Sequence, residues 1–272
     1  MSALREGDPP GGEASNLFGK EVREKIGGNL ARRMEVLVTA ETRSSKGRAG
    51  LMLPPSCECL FLDLPMDHTE YVGRMIGGED PEKVVEEMER RGKVMIPEDL
   101  QELRALEGLL GVLRGRKIKV FGYRDLSSYR LSRETALALL RLTIRAKLGR
   151  IATTEWKEVL RREIQNRLQV AELEADFIAS KAGEENACLD ATPELVRLLS
   201  EWGFETEVRT VDPPCRPLDL LLGRVREEMF GGRKLEEEEV RELVREHLRF
   251  VDLVLEKGYE RAYELWKRLK GV

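Results

Sequence analysis

Short apolar runs recur along the chain, and each closes on an acid. Glu35-Val36-Leu37-Val38-Thr39 leads to Glu41, Cys59-Leu60-Phe61-Leu62 to Asp63, and Ile118-Lys119-Val120-Phe121 to Arg124-Asp125. Ala187-Cys188-Leu189 leads to Asp190, and Glu207-Val208-Arg209-Thr210-Val211 to Asp212. Apolar or β-branched runs of this length, separated by helical stretches, predict an α/β fold with a mostly parallel sheet of about five strands flanked by helices. Ligands of such sheets sit beyond the carboxyl ends of the strands, so the acids mark the edge where a site belongs.

Between these runs the spacing turns helical. Asp80-Pro81-Glu82 is a cap, a first-turn proline and an acid, followed by Val84, Val85 and Met88. Leu100, Leu103, Leu106, Leu110 and Leu113 predict a helix from about Pro97 to Arg114. Ser132 is expected to cap a helix through Ala146, and a long helix is expected from Thr154 to Lys181. Thr192-Pro193-Glu194 opens another, and beyond Pro217 the pattern is helical with breaks near Gly231-Gly232 and Gly258. Asn16 to Arg33 reads as a lead-in helix, and Thr42 to Gly50 as a basic, flexible loop able to meet an anion. The expected organisation is a disordered tail over 1–15, an α/β domain with helical insertions over 16–215, and a helical C-terminal segment over 216–272.

Composition narrows the class. The 272 residues include 41% hydrophobic ones, enough for a proper core. Lys and Arg number 46 against 50 Asp and Glu, a net charge of -4 that argues against nonspecific nucleic-acid binding. Charged residues make up 35%, above the roughly 25% of ordinary soluble domains and thermophile-like in character. No apolar stretch approaches the ~18 residues of a membrane span, and the first residues lack a secretory h-region, so the expectation is a cytoplasmic protein with no membrane partner. Cys57, Cys59, Cys188 and Cys215 are too scattered for a disulfide framework and are expected to be reduced.

Few chemistries survive this reading. The chain has two histidines, His68 and His247, which excludes most His-rich sites; His247, on a charged helical segment, is expected to face solvent. Asp63, Asp67, His68 and Glu70 form an acidic cluster past the second strand, able in principle to hold a divalent cation but ordinary for a surface loop. Cys57-Glu58-Cys59 lacks the second pair that a zinc site needs. No Gly-rich dinucleotide loop, Walker motif or Gly-x-Ser-x-Gly elbow is present.

The order of elements resembles the TraB and PrgY-like proteins, whose wider superfamily includes the ChaN-like haem-handling and erythromycin-esterase-like proteins. Val38-Thr39-Ala40-Glu41 is similar to that family's first-strand Gly-Thr-Ala-His motif, with Glu in place of His. Phe61-Leu62-Asp63-Leu64 is similar to its Val-Glu-Leu strand, and Tyr123-Arg124-Asp125 to its Asp-Arg-Asp. Leu173-Glu174-Ala175 stands at the Glu-Arg-Asp helix motif without its arginine, and Leu189-Asp190-Ala191-Thr192 stands where Gly-x-Gly-His would be. The resemblance spans about Met34 to Val211 and implies a diverged relative from which both motif histidines are absent.

Two functions remain. One is a non-catalytic, ligand-binding TraB-like protein holding a small anionic ligand on Arg43, Lys46 and Arg124, with its C-terminal helices packed on its own sheet or forming a homodimer interface. The other is a carboxylate-dependent hydrolase. Its catalytic candidates are Glu41, Asp63, Asp125 and Asp190; Glu41, Asp63 and Asp125 would hold Mg2+ or Mn2+.

Overall fold

A computed structural model describes residues 32–271. The expected tail and most of the lead-in helix lie outside the described residues; Arg32 and Arg33 belong to the first strand. Five strands form one all-parallel sheet: β1 (Arg32–Val38), β2 (Cys59–Pro65), β3 (Lys119–Arg124), β4 (Glu185–Leu189) and β5 (Phe204–Thr210). Every run read from the sequence is present. Their spatial order is β3-β2-β4-β1-β5. The chain leaves β2 toward one edge and β4 toward the other, so the topological switch point falls between these neighbours.

Ten α-helices accompany the sheet among the described residues. They are α1 (Arg43–Met52), α2 (Thr69–Ile76), α3 (Pro81–Arg90), α4 (Pro97–Leu113) and α5 (Leu126–Lys147), then α6 (Thr153–Lys181), α7 (Pro193–Glu201), α8 (Pro217–Met229), α9 (Glu237–Lys257) and α10 (Tyr259–Lys270). Alternation along the strands sorts the core. Leu37, Leu60, Leu62 and Leu189 point to the face covered by α1 through α4, while Val36, Phe61 and Cys188 point to that covered by α6 and α7.

The basic stretch from Thr42 to Gly50 is helix, not flexible loop. Thr42 caps it by accepting from the Ser45 amide at 3.2 Å, and its small residues let it press against α4. Gly108 of α4 is required there, since a Cβ on it would lie 2.0 Å from the Arg43 carbonyl oxygen. The helix expected to start at Ser132 starts instead at Leu126, because Asp125 caps it by accepting from the Ser128 amide at 2.8 Å.

Helix α6 has 29 residues, about 43 Å at 1.5 Å per residue, and so outruns strands of about seven residues and 23 Å. Its second half packs on the sheet through Ala171, Ala175 and Ile178. Its first half, through Trp156, Leu160 and Ile164, builds a separate helical cluster with α5, α8 and α9. The midpoint of α6 is thereby carried past the carboxyl edge. Helix α10 and the end of α9 close a further cluster around Phe250, Tyr263 and Trp266, which includes Ala40 just after β1. The C-terminal helices therefore bury their apolar faces on the chain's own body.

Candidate functional site

The switch point is irregular in two places. The register between β2 and β3 shifts between Leu62 and Pro65, which brackets Asp63. Gly122 makes room for that shift, because a Cβ there would meet the Pro65 carbonyl oxygen at 2.3 Å. Across the crevice, Asp190 has φ 58°, the one non-glycine among the described residues with a positive φ. Such strain persists only where the surroundings hold it. The Asp190 carboxylate accepts from the Thr39 amide and hydroxyl, both at 2.7 Å, and from Lys46 Nζ at 2.6 Å.

Around these irregularities lies a cavity of about 20 Å3 lined by Glu41, Lys46, Asp63 and Glu102, with Leu62, Leu64, Leu106 and Leu189. That is room for one water, which needs roughly 10–15 Å3. Lys46 is 7% exposed and also donates to Glu41 at 3.3 Å, so two carboxylates share its charge and hold its ammonium protonated against the burial that opposes it. Arg167, delivered by the overhanging middle of α6, donates to Asp63 at 3.0 Å, and Arg124 stands 3.5 Å from the same oxygen. Burial pushes the Asp63 carboxyl up, but Arg167 and then Arg124 outweigh it and hold the group below the usual carboxylate range.

Glu102 is displaced the other way. Burial, then the charge of Glu41, raises its carboxyl to about 8 against Arg124, with Asp63 adding a further push. Glu41 is itself raised by burial and by Asp190, opposed by Lys46. Two carboxyl groups on one small cavity thus favour a shared proton, with Glu102 holding it and Glu41 paired to Lys46.

The sequence candidates divide accordingly. Glu41, Asp63 and Lys46 meet in the cavity, and Asp190 clamps Lys46 beside it. Asp125 does not join them, because its carboxylate accepts from Ser127 and Ser128 as the cap of α5. Arg124 is buried against Asp63 and Ser132 rather than open to a ligand, and Arg43 is a surface residue paired with Glu107 at 3.1 Å. Among the described residues, no group of three or more His, Cys, Asp and Glu side chains is arranged to hold a metal ion.

Both histidines differ from expectation. His68 is buried in a 3-10 turn (Met66–His68), edge-on to Tyr129, and burial brings its imidazole down to about 4. His247 is half-buried against Trp156, 3.1 Å from the Thr143 hydroxyl, and burial likewise lowers it to about 4. The buried thiols Cys57 and Cys59 belong to clusters on opposite faces of the sheet.

Glu102, Arg167 and Tyr129 were absent from the sequence candidates because they lie on helices, where polar residues read as solvent-facing. One signal was available: Asp99 and Glu102, one turn apart, flank the leucine stripe of α4 on its buried side. No helix among the described residues is long and apolar enough to cross a membrane. Comparison with known proteins finds no matching family model, no matching curated protein and no matching solved structure.

Proposed function

We propose that the protein is a carboxylate-dependent hydrolase whose attacking water is held in the one-water cavity at the switch point, with the substrate presented at its mouth. The observation that carries this reading is the pair Glu41 and Glu102 lining that cavity, one tied to an ammonium and the other raised to about 8. Two carboxyl groups sharing one proton around a water supply a base and an acid together. Glu41 takes a proton as the water oxygen bonds to the substrate's electrophilic atom. Glu102 gives its proton to the leaving group as that bond breaks, and exchange with solvent resets both. Asp63 remains charged throughout and helps keep Glu102 protonated. Glu41 and Asp63 also stand at positions of the TraB-like motifs, which agrees with a site here.

Charge balance favours this over a cation-dependent site. Lys46, Arg124 and Arg167 already face Glu41, Asp190 and Asp63, so the acids need no added dication. It also disfavours mere anion capture on Lys46, which already donates to Asp190 and Glu41.

The test combines a panel of chromogenic esters, phosphates and glycosides with carboxyl 13C NMR titration of glutamate-labelled protein. Expected are a bell-shaped pH profile, a loss of at least about 100-fold in Glu102→Gln and in Glu41→Gln, and a Glu102 carboxyl titrating near 8. Hydrolysis unchanged in Glu102→Gln, or a Glu102 that titrates in the ordinary carboxylate range, overturns the proposal.

A further inference from the structure

The hydroxyl of Tyr129, on α5, lies between two carboxyl groups of α4, 2.9 Å from Asp99 Oδ1 and 3.1 Å from Glu102 Oε2. It owns one hydrogen, which cannot serve both. Asp99 settles the direction. Its Oδ2 accepts from the amides of Met95 and Ile96, and Arg133 straddles both oxygens, with Nε 3.1 Å from Oδ1 and Nη2 2.9 Å from Oδ2. Met95, Ile96 and Arg133 all point hydrogens at Asp99, and a carboxylate so placed draws the phenolic hydrogen too. The Tyr129 oxygen then turns a lone pair toward Glu102. A contact at 3.1 Å is favourable only if Glu102 brings the hydrogen.

We infer that Tyr129 is a positioning residue, which keeps Glu102 protonated by accepting its hydrogen while donating its own to Asp99. The inference rests on the acid role given to Glu102 above and adds what holds the acid in its working state. A hydrogen bond made to the neutral form favours that form. The arrangement is rigid. Tyr129 is buried, and the guanidinium carbons of Arg124 and Arg133 stand 4.9 and 4.8 Å from its ring centroid. Around Glu102 the charges of Glu41 and Asp63 favour its proton and that of Arg124 opposes it, as Tyr129 itself would if its hydroxyl donated to Glu102; Lys46 lines the same cavity. His68 packs edge-on against Tyr129 and is uncharged near neutral pH.

Carboxyl NMR titration of Tyr129→Phe tests the inference, since phenylalanine keeps the ring between the two arginines and removes only the oxygen. The expected result is a fall in the Glu102 titration midpoint by about one pH unit, the worth of one hydrogen bond. A rise would mean that the hydroxyl donates to Glu102, and no change would mean that it does neither; both overturn the inference. If Tyr129→Phe does not fold, Glu102→Gln and Glu102→Leu replace it. The Gln amide can donate to Tyr129, so the Gln variant is expected to unfold near the wild-type midpoint at pH 7 and the Leu variant clearly below it. Equal losses count against the inference. The titration needs no substrate. A fall without hydrolysis of any panel compound sinks the hydrolase reading alone, and hydrolysis without a fall sinks only the role of Tyr129.

Discussion

The two ends of the sheet carry the same residue types and use them differently. At the amino end Arg33 reaches Glu185 at 3.5 Å and Glu205 at 3.4 Å, on the wall of an open cleft of about 410 Å3. Arg33 and Glu205 are 63% and 67% exposed, whereas Lys46, Arg124 and Arg167 at the carboxyl end are 6–7% exposed. In water such pairs contribute about 0–1 kcal/mol; out of it, the same charges displace proton affinities by units and must be matched one by one. The larger opening is therefore the one whose charges stay in water. Volume says where a ligand could fit, and desolvated charge says where chemistry is prepared.

The sharpest test of this contrast is removal of one acid at each end. Asp63→Ala would leave Arg124 and Arg167 buried without their shared counter-charge, and a loss of about 3–5 kcal/mol in denaturant unfolding is expected. A loss under about 1 kcal/mol would show that water reaches the carboxyl end freely and would break the comparison. Next in size is Lys46→Met, which strands Glu41 and Asp190 and removes a restraint on the strained Asp190 backbone. About 2–3 kcal/mol should be lost, with Asp190 amide exchange accelerating most if the strain is held by this contact.

A pH series sharpens the contrast further. Glu102 has a folded value of about 8 against an ordinary 4.5, so it binds more protons folded than unfolded between those limits. Its stabilising contribution is complete below pH 4.5 and is lost as pH rises toward 8. The two histidines slope the other way, because values lowered from 6.5 to about 4 cost stability as pH falls through that window. The difference between wild type and Glu102→Gln isolates the carboxyl: the variant should lose less stability from pH 5 to 8, and parallel curves would refute the displaced Glu102. The smallest effect is expected at the amino end, where Glu205→Ala should change unfolding by less than about 0.5 kcal/mol.

The strands, their parallel sense and the carboxyl edge were legible because alternation, apolar runs and Thr/Asp-Pro caps are local signals. Glu41, Asp63 and Asp190 followed from their positions after strands. Asp125 looked equivalent in sequence, yet it precedes a helix immediately, and a cap position claims a carboxylate more strongly than a distant site does. Thr42 to Gly50 misled for a related reason: its Gly and Ala residues read as flexibility, while their smallness serves the close approach of α1 to α4. Glu102 left only its place beside the leucine stripe of α4, and Arg167 left no local signal. Their burial is decided by how far α6 overhangs the sheet and by where α4 docks, which are properties of the assembled fold.

The strand order has a kinetic consequence. Both neighbours of β1 are β4 and β5, which begin at Glu185 and Phe204, so β1, the first strand among the described residues, has no partner in the sheet until the last third of the chain arrives. The contact from Thr39 to Asp190 spans 151 residues. Closing such a distance is slow and is rewarded only on completion, which makes early β1 a strand waiting exposed during synthesis. The carboxyl edge consequently cannot close before β4 arrives, and the contact of Thr39 with Asp190 reports that β1 and β4 have met.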